Sequence, residues 1–223
     1  MLSQIIRFTL SPPLTISTTE FLNLRRTVAS AGATAQYYGY TVPTKSSPLP
    51  RKRHEICWTI QWPDVCDRSS VVSGLDRIAT GDQTSVLVEF ADSQLTELTK
   101  GLEALVCEFA CIRLSDSAPL SDASLQKSMQ KTYTDTYKIR GFTGGQWAYA
   151  CNSNETSGVR PGAASEQQLP KLEQRFAIYL LGWDSIELHE DATKTPEFAE
   201  EISKLAPYFG PGTGAWYVCF RKH

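Results

Sequence analysis

Three histidines, an arginine and a glutamate on adjacent strand-like segments, and a set of aromatic side chains are what this sequence offers for chemistry. His54, His189 and His223 are its only histidines. Imidazole titrates nearest neutral pH and is the first choice for a proton shuttle. His54 opens the alternating segment 54–62, and His189 lies three residues beyond Ile186 on a short helical stretch after Trp183. His223 ends the chain and reads as solvated. Arg7 and Glu89 read as sharing a strand face with Thr9, Glu55, Cys57, Thr59 and Gln61. A buried pair of that kind either shifts a pKa for acid–base work or serves as a structural ion pair. His54, His189, Arg7 and Glu89 are therefore the candidate catalytic residues. Tyr38, Tyr40, Trp58, Tyr179 and Trp183 are the candidate substrate contacts, since an aromatic-lined cleft with few polar anchors suits a flat apolar ligand.

Other chemistries lack their signatures. The sequence has no phosphate loop, no dinucleotide glycine fingerprint, no nucleophile elbow and no metalloprotease helix motif. Gly210-Pro211-Gly212-Thr213-Gly214 precedes a strand, whereas phosphate cradles precede helices, so it reads as a turn. Six cysteines are scattered without a C-x-x-C pair; Cys107 and Cys111 are four apart but far from any histidine, and buried reduced thiols are expected rather than a metal site. With 22 Lys+Arg against 24 Asp+Glu in 223 residues, there is no electrostatic footprint for nucleic acid. No apolar run approaches the ~20 residues of a membrane span. The first residues lack the basic head, unbroken apolar stretch and cleavage site of a secretory signal, so a cytoplasmic protein is expected.

The elements that must position these residues follow from periodicity. Segment 3–10 alternates Ile6, Phe8 and Leu10 against Arg7 and Thr9, then stops at Pro12-Pro13. A helix capped by Thr18 or Thr19 runs to Ala31; strands follow at 36–42 and 54–62, a helix at 68–79 and a strand at 85–90. Val86, Val88 and Phe90 are expected to join Ile6 and Phe8 under the helices. The order β-α-β-β-α-β is the ferredoxin-like unit. After a connecting helix at 95–101 the order returns: strand 105–114, helix 122–138, strand 146–151, a long polar loop 152–174, strand 175–183, a helical turn or two at 185–194, a helix opened by Thr195-Pro196, and strand 215–221. Phe198, Ile202 and Leu205 form that last helix's apolar stripe. Segments 56–62 and 177–183 align with aromatics at their middles and ends. The fold expected is α+β, with ferredoxin-like units at 1–92 and 93–223 packed sheet to sheet. The basic loop Lys45 to Arg53 is either a solvated hairpin or a steering element for an acidic substrate.

Gly182-Trp183-Asp184-Ser185 through Thr195-Pro196-Glu197-Phe198 resembles the strand-and-helix signature of the dimeric α/β-barrel superfamily, which includes the cofactor-independent antibiotic-biosynthesis monooxygenases and stress-responsive A/B-barrel proteins. With Glu187 and His189 after the Trp, it looks most like fungal members. The resemblance implies an intramolecular dimeric α/β barrel, a ligand cleft between sheet and helices near Trp58, Tyr179 and Trp183, and secondary metabolism. The chain departs from the monooxygenases at Ala192 and Glu197, where many carry histidines, and at Tyr179 and Trp58, where some carry an asparagine. The expected activity is thus a cofactor-free cyclisation, isomerisation or elimination on a small hydrophobic polyketide- or terpenoid-like metabolite. Oxygen insertion and a non-catalytic ligand-binding barrel are the alternatives. No nucleic acid or membrane partner is expected, and the assembly is a monomeric pseudo-dimer or a homodimer.

Overall fold

Strand alternation decides the layering. In the computed structural model, which describes residues 1–44, 54–63, 68–162 and 167–223, β1 (Leu2–Leu10) sends Ile6, Phe8 and Leu10 to one face and Ile5 to the other. With β2 (Ala35–Pro43), β3 (Ile56–Trp62) and β4 (Ala79–Glu89) it forms the ferredoxin-like order β4-β1-β3-β2. The later strands β5 (Val106–Arg113), β6 (Phe142–Tyr149), β7 (Phe176–Trp183) and β8 (Gly214–Val218) take the order β8-β5-β7-β6. A ladder between β2 and β8, Thr41↔Val218 to Pro43↔Trp216, fuses the two halves, and β9 (Arg221–Lys222) adds to β2.

The far edges meet differently. Ser85↔Val159 and Val88↔Ala150 are isolated bridges, so the sheet is not closed into a barrel. The seam is fastened by Cys151 N–H donating to Leu87 O (2.8 Å) and Leu87 N–H donating to Asn152 Oδ1 (2.8 Å). The described parts of 152–174 are therefore tied to the sheet edge. Residues 163–166, the basic loop at 45–53 and Cys66 lie outside the described residues.

Three cores result. Helices α1 (Thr19–Ser30) and α2 (Ser69–Ile78) cover one face of β1 and β3 with Phe21, Leu24, Val28, Val71 and Leu75. Between the two half-sheets lie Ile5, Cys57, Val86, Val88, Phe90, Phe109, Ile178 and Trp216. Helices α4 (Ala123–Thr134), α5 (Ile186–Ala192) and α6 (Pro196–Leu205) cover β5 and β7. Val86, Val88 and Phe90 thus face the opposite side from that expected, because the register pairs Ile5 with Val86 and Ile6 with Ser85. Thr195 caps α6 as expected, its hydroxyl accepting from Phe198 N–H at 3.3 Å. Thr18 stands at the start of α1, but its hydroxyl donates to Thr15 O (2.6 Å). Burial pushes the thiols of Cys57, Cys107 and Cys111 up, that of Cys57 to about 12. Among the described residues no helix is long and apolar enough to cross a membrane.

Helix α3 (Leu95–Glu103) lies against β6 and β7 through glycines. A Cβ on Gly101 would sit 2.9 Å from Leu180 O and 3.0 Å from Gly145 Cα. Ala in place of Gly inside a helix ordinarily gains about 1 kcal/mol. Here the clash with backbone reverses the sign, and Gly101→Ala is expected to lose about 1–3 kcal/mol in urea unfolding.

Candidate active site

The cleft under α4–α6 stays open because the sheet beneath it carries small residues. Ala110 on β5 stands opposite Tyr179 and Ala215, and all three line a cavity of about 380 Å³ together with Gly214. The corresponding place in the first half is occupied. There Ile6 stands opposite Trp58, and Phe8 and Phe21 close on that indole with centroids at 6.4 and 5.4 Å. Phe198 and Ile202 of α6 are only half-buried, since the space they face is the cavity.

A buried polar chain runs along this cavity. Glu108 points from β5 toward α5, and its Oε2 accepts the Trp183 indole N–H at 3.0 Å. The same oxygen lies 3.1 Å from His189 Nε2. On the other side of the ring, Nδ1 is 2.6 Å from the hydroxyl of Tyr217. An ionised carboxylate only accepts, so Nε2 carries the proton and Nδ1 accepts from Tyr217 in the neutral ring. Glu108, His189 and Tyr217 are all buried. Burial pulls the imidazole pKa down, but the adjacent Glu108, by charge and hydrogen bond, and the charge of Glu190 outweigh it, and the net direction is up from 6.5. Burial first, then the charge of Glu108, raises the Tyr217 phenol.

The two halves share a strand register here but not the chemistry. Gln4 stands opposite Ile60 as Glu108 stands opposite Leu181, and Trp62 donates its indole N–H to Gln4 Oε1 (3.0 Å) as Trp183 donates to Glu108. Leu87 stands across from Gln4, where Tyr217 stands across from Glu108. The first half thus has an amide and a leucine where the second has a carboxylate and a phenol.

Of the residues singled out from sequence, His189, Tyr179 and Trp183 come together in this cleft. Tyr179 donates its hydroxyl to Met129 O (2.8 Å) and stacks on Trp147 at 5.1 Å. Trp58 and Tyr38 are core of the first half, with the Arg25 guanidinium 3.8 Å from the Tyr38 ring centroid. His54 is exposed beside Tyr40, their rings 6.3 Å apart, in a left-handed conformation at φ 58°. Arg7 and Glu89 do not meet. Arg7 stands opposite Thr84 and points between the half-sheets, 3.9 Å from Glu55 and over the Trp216 ring, whereas Glu89 stands opposite Leu2, exposed on the other face. Glu108 and Tyr217 were not singled out. The available signal was a lone carboxylate in the apolar run Val106–Ile112, which a strand buried on both faces tolerates only with partners.

No family model matches the chain, and no curated protein matches it in sequence. Solved structures do. A candidate monooxygenase from Fusobacterium nucleatum superposes with a TM-score of 0.54 at 7% identity, over 100% of this chain and 93% of that one. A candidate monooxygenase from Lactobacillus acidophilus does so at 0.54 and 9% identity, over 98% and 93%. An anthrone oxidase-like protein gives 0.52 at 10% identity, over 100% and 92%. At such identities the likeness establishes the ferredoxin-like fold.

Proposed function

We propose that the chain is a cofactor-independent enzyme of secondary metabolism that moves a proton on a small hydrophobic, polyketide- or terpenoid-like substrate held beneath α4–α6. The observation that carries this reading is the Glu108–His189–Tyr217 chain in the wall of a mostly apolar cavity. The Tyr217 phenol is fully buried; on substrate entry it would take a proton from an acidic C–H or O–H while passing its own to His189 Nδ1. Glu108 then balances the imidazolium, so no net charge is buried without a partner. Trp183 fixes the carboxylate. The resulting carbanion or enolate closes a ring, expels a leaving group or is reprotonated elsewhere, and the shaped apolar wall selects among these by conformation.

Oxygen insertion is the second reading, favoured by the monooxygenase-like fold neighbours. The same carbanion would reduce O2 to a hydroperoxide that loses water to leave a carbonyl. Anthrones and enolisable aromatic ketones in D2O, followed by mass spectrometry beside an oxygen electrode, separate the two. Product or exchanged deuterium without O2 uptake supports the first reading, and stoichiometric uptake supports the second. In either case His189→Ala and Tyr217→Phe are expected to cut turnover about 10²–10⁴-fold with circular dichroism unchanged. Turnover at the native rate in both variants would remove the relay from the chemistry.

A further inference from the structure

We propose that Ala110 is the residue that sets substrate specificity, and that the seat it leaves takes a planar substrate of two or three fused rings. This rests on the acid–base reading above and narrows its substrate class to flat, unsaturated ring systems.

The rungs of the β5–β8 ladder fix the layout. Glu108 stands opposite Tyr217, and Ala110 stands opposite Ala215, two residues away along each strand and so on the same face. The relay rung and the alanine rung are thus neighbours, about 7 Å apart. Ile112, the next residue of β5 on that face, lines the far end of the cavity. Tyr179 stands opposite Ala110 on its other side, held through its hydroxyl on Met129 O and by the Trp147 ring. The charged members of the lining outside the relay, Glu190 and Lys194, stand on α5 and the turn after it, not on this floor.

Ala110 is reachable where its neighbours are not. It is half-buried in the middle of a strand whose flanking Phe109 and Cys111 are buried, and Gly214 and Ala215 beside it are half-buried too. In the first half the matching residues are Ile6, Trp58 and Ser85, all fully buried. Tyr179 is itself a large ring and Ser85 is little larger than Ala215, so the exchange of isoleucine for alanine is the main difference in bulk. An apolar cavity of about 150 Å³ takes one benzene ring. The cleft, at about 380 Å³, has room for a fused system. Methyl groups and backbone make a level floor, which touches every atom of a flat ring and only alternate atoms of a puckered one.

Binding of 2-naphthol and of its saturated counterpart decahydro-2-naphthol, by isothermal calorimetry and by the His189 imidazole NMR signal, tests this. The two share a skeleton and a hydroxyl and differ in flatness. 2-Naphthol is expected to move the His189 signal and to bind about tenfold more tightly than the saturated alcohol. Ala110→Ile, which installs the first-half residue, is expected to weaken 2-naphthol about tenfold or more with no fall in melting temperature. Ala215→Val crowds the same seat from β8 and is expected to do likewise, which keeps the test open should the first variant not fold. Equal affinity for the two alcohols overturns the planar class, and 2-naphthol held by the folded variants as tightly as by the native protein overturns the role of Ala110. Binding that leaves the His189 signal unmoved places the ring outside the seat and overturns the inference alone. In each of these cases the acid–base reading stands on turnover. No binding of 2-naphthol by the native protein, with the His189 signal unmoved, overturns the seat and the reading together.

Discussion

Glu108→Gln inverts the pH dependence that His189 contributes to stability. In the native protein the imidazole pKa lies above the 6.5 of an unperturbed histidine, because Glu108 and Glu190 outweigh burial. That group's stabilisation is fully present below the unfolded pKa and is lost as pH rises through the higher folded one. With the carboxylate replaced by an amide, burial dominates and the folded pKa falls below the unfolded value. The neutral ring is then the favoured form, and stability is lost as pH falls instead. The substitution also removes the Glu108 carboxyl itself, so the imidazole's share of the difference is assigned from the His189 resonance. Urea unfolding from about pH 8.5 to about pH 5 is expected to show the native-minus-variant gap widening toward acid. A gap constant with pH would mean that Glu108 does not govern the imidazole. The His189 resonance followed through the same range gives an independent reading of the two pKa values.

Trp58→Ala is expected to be the most damaging substitution on the helix-covered face of the first half, losing about 3–5 kcal/mol. The indole is fully buried and is gripped edge-on by Phe8 and Phe21. Removing it leaves a hole that the flanking rings, fixed on β1 and α1, cannot collapse to fill. Against a typical total of about 5–15 kcal/mol, that loss lowers the melting temperature by roughly 10 °C or more. Phe198→Ala, on the helix over the open cleft, is expected to cost about 1 kcal/mol or less, because its ring already borders empty space. Thermal unfolding of the two variants side by side checks this. Equal losses would mean that both clefts are packed alike.

The same contrast marks what the sequence could convey. Aligning 56–62 with 177–183 placed Trp58 over Tyr179 and Trp62 over Trp183, and the strand registers repeat that correspondence. Periodicity therefore found the strands, the helices and the sheet-to-helix cleft. It could not show that one cleft is filled and the other open. That depends on Ala110 and Ala215 facing Tyr179 where Ile6 faces Trp58, a matter of register between strands far apart in the chain. His189 was legible as a lone histidine after the signature tryptophan. Its partners were not, since Glu108 and Tyr217 are separated from it by 81 and 28 residues and meet it only once β8 pairs with β5. The Arg7–Glu89 pairing failed on parity alone. One position along β4 turns a side chain to the other face, and the bulge between Arg7 and Thr9 removes any guide from the far end of the strand.

The unequal seams give the molecule a spine and a clasp. Along β2 and β8 the halves share a continuous ladder, while β4 meets the chain after β6 through two bridges and the Asn152 side chain. Parting the clasp means pulling apart the apolar core between the half-sheets, so burial holds the halves closed more than the few bonds do. The outer edges of β4 and β6 would be bared together, two unpaired strand edges of the kind that recruit a second copy of a chain. Asn152 and the segment behind it thus cover edges that would otherwise be open to a second strand.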